Sequence, residues 1–175
     1  MPNLDLDLNP TISLKLDAIG KPGQRTFYLQ GSDDHQTVTL LIEKFQVQML
    51  ALGIEQFLNE LKKRFPDLPA VLSEYDEKAM RLTPPLDPLF RVADMSMGYD
   101  ADTDLSVLIL QEGEISEEAE DKPSVVRFWC TRSMVSGLAV WAQELVGRGR
   151  PIWPSSGEPM SPGDQYSPRN NGHKH

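Results

Sequence analysis

Hydrophobic and polar residues alternate along the first part of the chain. Residues 12–16 alternate between apolar and polar side chains, which predicts a half-buried strand. Two further stretches, residues 25–30 and 37–42, predict the next two strands. The segment 20–23 predicts a turn between the first two, because glycine accepts a positive φ and proline fixes its own φ.

The period then changes from two residues to three and four. This spacing predicts an amphipathic helix. Cations at residues 62–64 suit the negative end of the helix dipole, and Pro66 ends the pattern. The apolar positions of this helix are Val47, Leu50, Ala51, Ile54, Phe57, Leu58 and Leu61.

The second part of the chain repeats the order of three strands and one helix. Residues 67–88 predict a connector, with a short helix near its middle. The strands follow within residues 89–100, 105–111 and 124–130, and an acidic stretch before the third predicts a solvated loop. Thr131 resembles an N-cap for a second helix. The apolar positions of that helix are Val135, Leu138, Ala139, Ala142, Leu145 and Val146.

The two parts align with each other when the chain is shifted by 88 residues, which places Val38 on Val126 and Val47 on Val135. An internal duplication explains this match, and so does the patterning that any two strand–helix junctions share. The order predicts an α+β fold with two β-β-β-α halves, at residues 11–66 and 88–149. About six mainly antiparallel strands would form one sheet with two helices on one face, followed by a tail at residues 150–175.

Composition is that of an ordinary globular protein, with 39% hydrophobic and 25% charged residues. The formal net charge of −9 argues against a nucleic-acid partner, because phosphate backbones repel acidic surfaces. A single cysteine fits a reducing compartment. We find neither a signal peptide nor an apolar run long enough to span a membrane, so we expect a cytoplasmic protein with no membrane partner.

Three motifs in order resemble one protein family: IGKPGQRTFYLQ, IEKFQV and MGYDADTD. Together they are similar to a bacterial family labelled domain of unknown function 3090, known mainly from actinobacteria and chloroflexi. The resemblance covers nearly the whole chain. It implies a pathway shared with kinase-like and histidine-phosphatase-like neighbours as partners, and it implies no reaction and no cofactor.

The resemblance also gives an interpretation of the proline- and glycine-rich tail. Members of the family end in a short zinc knuckle with cysteine and histidine ligands. Here the frame of prolines and glycines is present, but Trp153, Ser156, Gln165 and Ser167 stand where the ligands are expected. These side chains are poor zinc donors. We expect a degenerate knuckle without metal; the alternative is a disordered tail.

Five polar residues near the strand–helix junctions are candidate ligand-binding residues. An anion can bind at a helix N-terminus, where a nearby arginine would help. An ion pair between Glu43 and either Arg25 or Lys44 is the alternative. The candidates are Arg25, Gln30, Glu43, Lys44 and Arg132.

Asp100, Asp102 and Asp104 have the spacing of the first half of a calcium loop. The second half is absent, since Leu105 stands where glycine is needed and Gln111 where glutamate is needed. These aspartates are therefore weak metal candidates, and an aspartate-rich turn is the alternative. Cys130 ends a predicted core strand, which favours a small buried side chain over a nucleophile.

No catalytic constellation is complete, so the sequence leaves the enzymatic status open. The first hypothesis is a non-catalytic protein-interaction or regulatory module. The alternative is an enzyme or binding protein for a small phosphorylated ligand, using Arg25, Lys44 or Arg132. A nucleic-acid role ranks last because of the net charge.

Overall fold

The computed structural model describes residues 4–21, 23–113 and 122–148. The predicted knuckle-like tail and most of the predicted acidic loop lie outside these residues. Within them the fold is α+β, with seven strands and two long helices. The strands are β1 (Asp5–Leu8), β2 (Ser13–Ile19), β3 (Thr26–Ser32), β4 (Thr37–Ile42), β5 (Val92–Asp100), β6 (Leu105–Glu112) and β7 (Val125–Cys130). The helices are α1 (Lys44–Arg64) and α2 (Arg132–Arg148), with a short 3-10 helix at Glu77–Met80.

The strands form two sheets, and the prediction of one six-stranded sheet is wrong. β2, β3 and β4 make an antiparallel meander of three strands. The other sheet has the order β1-β7-β6-β5, and β1 pairs with β7 in parallel. The order of three strands and one helix is confirmed for both halves. The sequence does not predict β1, because its four residues are too short a stretch for the alternating pattern to stand out, although Leu8 is fully buried.

The turn between β2 and β3 forms as predicted. Gly20 has a φ of +117° and Gly23 a φ of +87°, values that other residues rarely adopt. Both glycines are therefore needed to reverse the chain at this point.

The core is shared by the two sheets and both helices. Phe128 of β7 is fully buried and packs on Gly31 of β3, so the sheets touch directly. They are also joined by main-chain hydrogen bonds at their margins. Thr11 donates to the carbonyl of Trp129 at 2.7 Å, and Leu41 donates to the carbonyl of Phe90 at 3.0 Å.

The helices pack side by side and each lies beside a strand of the other half. α2 lies against β2, where Trp141 Nε1 donates to the Leu16 carbonyl at 2.5 Å. α1 lies beside β5, where Gln46 Nε2 donates to the Val92 carbonyl at 2.8 Å. Each helix therefore packs on elements of both halves, and the halves share one core.

When the chain is shifted by 88 residues against itself, the element boundaries coincide at one strand–helix junction. The shift carries Thr37–Ile42 of β4 onto Val125–Cys130 of β7, and the first residue of α1 onto the first residue of α2. The same shift does not carry β3 onto β6. The structure thus repeats a strand–helix unit, and its origin by duplication stays a prediction.

We predict that replacing Gly31 with alanine destabilises the protein by about 2–3 kcal/mol, because the new methyl group overlaps the Phe128 ring. Gly53, in the middle of α1, serves as the control, since a methyl group added there would have no neighbouring atom within 4 Å. Gly53→Ala should raise stability by about 0.5–1 kcal/mol through helix propensity alone. Urea unfolding measures both, and a Gly31→Ala variant as stable as the wild type would contradict the packing.

Candidate functional site

The five candidate ligand residues come from different elements of the fold. Arg25 follows the β2–β3 turn and Gln30 lies within β3. Glu43 and Lys44 lie at the start of α1, and Arg132 is the first residue of α2. Each must therefore be considered in its own surroundings.

Gln30 is 2% exposed and holds the connector to the first sheet. Its Nε2 donates to Thr39 Oγ1 at 2.9 Å and to the Thr83 carbonyl at 3.0 Å. Its Oε1 accepts from the Thr83 amide at 2.8 Å. Both amide hydrogens of Gln30 are thus used within the fold. Its side chain binds both the amide and the carbonyl of Thr83, as the main chain of a neighbouring strand would.

At the beginning of α1, polar groups of the protein already bind one another. Gln46 Oε1 accepts a hydrogen bond from the Glu43 amide at 2.9 Å. The Glu43 carboxylate forms an ion pair with Arg91. An ion pair at Glu43 is the alternative to anion binding that the sequence leaves open. The structure contains such an ion pair, but its cation is Arg91, where the sequence predicts Arg25 or Lys44.

Arg132 joins three parts of the chain. Its Nε and one terminal nitrogen donate to the two Asp104 oxygens at 2.8 and 3.1 Å, and its other terminal nitrogen donates to the Pro69 carbonyl at 2.8 Å. Tyr99 also donates to Asp104, at 2.7 Å. The arginine lowers the pKa of Asp104, and Asp104 raises the pKa of Arg132. Arg132 lines a cavity of about 470 Å³ between the helices and the connector, and each of its three nitrogens already donates one hydrogen bond within the fold.

The aspartates of the β5–β6 turn bind to the turn itself. Asp100 accepts from the Asp102 amide and from the Thr103 hydroxyl, both at 3.0 Å. Asp104 has a left-handed φ of 52° and faces Arg132. Within the described parts of the chain, no three His, Cys, Asp or Glu side chains are arranged to hold a metal ion.

Cys130 is fully buried at the end of β7. Burial raises the pKa of its thiol to about 12, so the thiolate form is scarce at neutral pH. The structure thus places this cysteine as a packed core residue, as predicted.

Arg25 lines a cavity of about 420 Å³, which we name the basic pocket. The pocket lies between the β2–β3 turn, the 3-10 helix and the last turns of α2. Trp141 and Leu145 form its apolar wall. Its charged residues are Arg25, Lys78, Arg81 and Arg148, with Asp17 and Glu77.

Sequence reasoning identifies only one of these four cations as a candidate. Lys78 and Arg81 lie in a connector for which the sequence predicts no position relative to the sheets. Arg148 lies more than a hundred residues from Arg25. No local sequence pattern indicates that the connector folds back beside Arg25 and Arg148.

A second surface lies between α1 and β5, and we name it the β5–α1 groove. It has a volume of about 590 Å³. Two of its apolar side chains are well exposed, Phe45 at 64% and Met49 at 50%. Its only charged residues are Glu60 and Asp94. Phe57 of α1 and Met97 of β5 also line the groove.

None of the described helices is long and apolar enough to cross a membrane.

We predict that Asp104→Asn lowers stability by about 1 kcal/mol at pH 7, because it removes the charge that pairs with Arg132 while asparagine still accepts the left-handed φ. The pKa of Asp104 is lowered in the folded state, so its stabilisation is complete above the unfolded value of about 3.9 and is lost as pH falls through the folded value. The difference between variant and wild type should therefore vanish in acid. Urea unfolding at a series of pH values measures this difference. Asp102→Asn is the control, and we expect it to change stability little. A difference between Asp104→Asn and the wild type that persists in acid would refute the ion pair as its cause.

A scan against protein-family models matches residues 7–166 to the family described as Protein of unknown function (DUF3090). A search of curated proteins and a search of solved structures each gave no significant match. The family match spans nearly all of the described residues and both halves of the fold. It confirms the family inferred from the three sequence motifs: the chain belongs to the DUF3090 family.

Proposed function

We propose that the protein is a non-catalytic protein-interaction module that binds an extended segment of a partner protein along the β5–α1 groove. The observation that carries this proposal is the outer edge of β5. It is a nine-residue edge strand that borders a row of exposed apolar side chains on α1.

The other sheet edges in the described residues are protected. At the edge of β2, the Leu16 carbonyl accepts from Trp141. Along β4, the amide of Leu89 donates to the Thr39 carbonyl at 2.9 Å. β1 is only four residues long, so it offers little edge for pairing with another chain.

The edge of β5 differs from all of these. The described residues cover it only at its first residue, where Gln46 binds the Val92 carbonyl. A long uncovered edge is a hazard for aggregation unless it has a use. Addition of a strand from a partner would satisfy its main-chain groups, and pockets beside the edge would select alternate side chains.

The groove indicates what the partner segment looks like. Alternate apolar side chains would contact Phe45, Met49 and Phe57. The charged residues of the groove, Glu60 and Asp94, are both acidic, so basic residues beside the apolar ones would be attracted.

A second copy of this chain is a poorer occupant than a basic segment. Each copy has a formal net charge of −9. In an antiparallel pairing of two β5 strands centred on Met97, Asp94 would face the Asp100 of the other copy. Like charges directly opposite each other destabilise a pair of strands.

The family resemblance implies two full-length candidates for the partner. They are the kinase-like and histidine-phosphatase-like neighbours. An extended basic segment in either protein would be the part to test first.

We predict that peptides selected on the immobilised protein from a random peptide library will alternate apolar residues and carry lysine or arginine beside them. Phe45→Ser and Met49→Ser should each weaken these peptides at least about tenfold, because a buried anchor at an interface contributes about 1–2 kcal/mol or more. Fluorescence anisotropy of a labelled selected peptide measures the affinity.

The matched control is Leu52→Ser. Leu52 lies on the same helix and is 51% exposed, but it does not line the groove. Its replacement should leave the affinity unchanged within about twofold, since it lies outside the interface. Equal losses in Leu52→Ser and Met49→Ser, or selected peptides without the alternating pattern, would overturn the proposal.

A further inference from the structure

The basic pocket concentrates positive charge on a chain that is acidic overall. Four cations from three separate elements line one cavity of about 420 Å³. Arg25 follows the β2–β3 turn, Lys78 and Arg81 lie at the 3-10 helix, and Arg148 ends α2. With a formal net charge of −9 for the chain, such a cluster needs a reason.

The carboxylates of the pocket balance only part of this charge. Glu77 forms an ion pair with Arg148, which also binds Glu144 at 2.8 Å. The Arg148 guanidinium also lies over the Trp141 ring, with its Cζ 5.1 Å from the ring centroid. Asp17 uses one oxygen to accept from the Ala18 amide at 2.8 Å. Asp17 is thus the one carboxylate of the pocket that is not paired with Arg148. It lines the pocket together with three cations, Arg25, Lys78 and Arg81.

Arg25 carries the second observation. Its Nε is buried and has no hydrogen-bond partner. A buried donor without an acceptor lowers stability, and a charged donor lowers it more than a neutral one. A rotation of the Arg25 side chain toward the pocket would let an anionic oxygen there accept this hydrogen bond and remove the penalty.

We propose that the basic pocket binds the phosphoryl group of a small phosphate ester, held by Arg25, Lys78 and Arg81. Guanidinium groups match the geometry of phosphate oxygens, and donors arriving from separate elements suit an anion with several acceptors. The cavity falls within the range of small-molecule sites, about 300–1,000 Å³, and exceeds what inorganic phosphate fills. The organic part of the ester would lie toward Trp141 and Leu145. This site is separate from the β5–α1 groove, with which it shares no residue.

The test is isothermal titration calorimetry at low ionic strength with three probes: inorganic phosphate, glycerol phosphate and glycerol. We expect both phosphates to bind with 1:1 stoichiometry and glycerol not to bind. Tighter binding of glycerol phosphate than of inorganic phosphate supports a site for an ester. Tighter binding of inorganic phosphate than of glycerol phosphate overturns the assignment of an ester as the ligand. If neither phosphate binds, the whole proposal is overturned.

Charge-matched variants separate a site from general attraction. Arg25→Gln and Arg81→Gln should each weaken glycerol phosphate at least about tenfold, because each removes donors to the phosphoryl group. Arg81 is exposed, so its replacement keeps the test valid even if Arg25→Gln fails to fold, which circular dichroism would show. Lys63→Gln removes the same charge from the exposed end of α1 and should change affinity less than about twofold. Equal losses in all three variants, or none in Arg81→Gln, would refute the assignment.

Discussion

The ring of Phe128 occupies the space above Gly31 where any other residue would place a side chain, and this contact sets how closely the two sheets approach. Each sheet alone has one apolar face and too few strands to bury it. Because β3 and β7 touch directly, the apolar faces of both sheets and both helices enclose one core. The remaining features of the molecule, including its two candidate binding surfaces, lie around that core.

The connector between the halves determines which surfaces stay available. Gln30 holds it at Thr83, and Arg132 holds it at Pro69. Held in this way, the connector covers the edge of β4 and brings Lys78 and Arg81 beside Arg25. It does not reach the edge of β5. One structural segment thus assembles the basic pocket and leaves the β5–α1 groove accessible on the described surface.

Local pattern predicts most elements of this fold and few of their relations. Alternation and helical spacing locate β2–β4, β6, β7 and both helices, because each has one buried face. Pairing between distant strands has no local signal, so the sequence predicts one sheet where there are two. The same limit applies to the sites. Arg132 and Asp104 belong to two different candidate sites in the sequence, yet they bind each other, and the sequence identifies Arg25 without the cations that surround it.

The proposed binding of a partner segment requires an edge of β5 that is free to pair. Hydrogen–deuterium exchange of the full chain, resolved to single amides, tests this directly. We expect slow exchange for all the bonded amides of β3, β6 and β7, and fast exchange for those β5 amides that point away from β6. Slow exchange throughout β5, equal to that of β6, would show that the edge is already covered and would contradict the proposed docking surface.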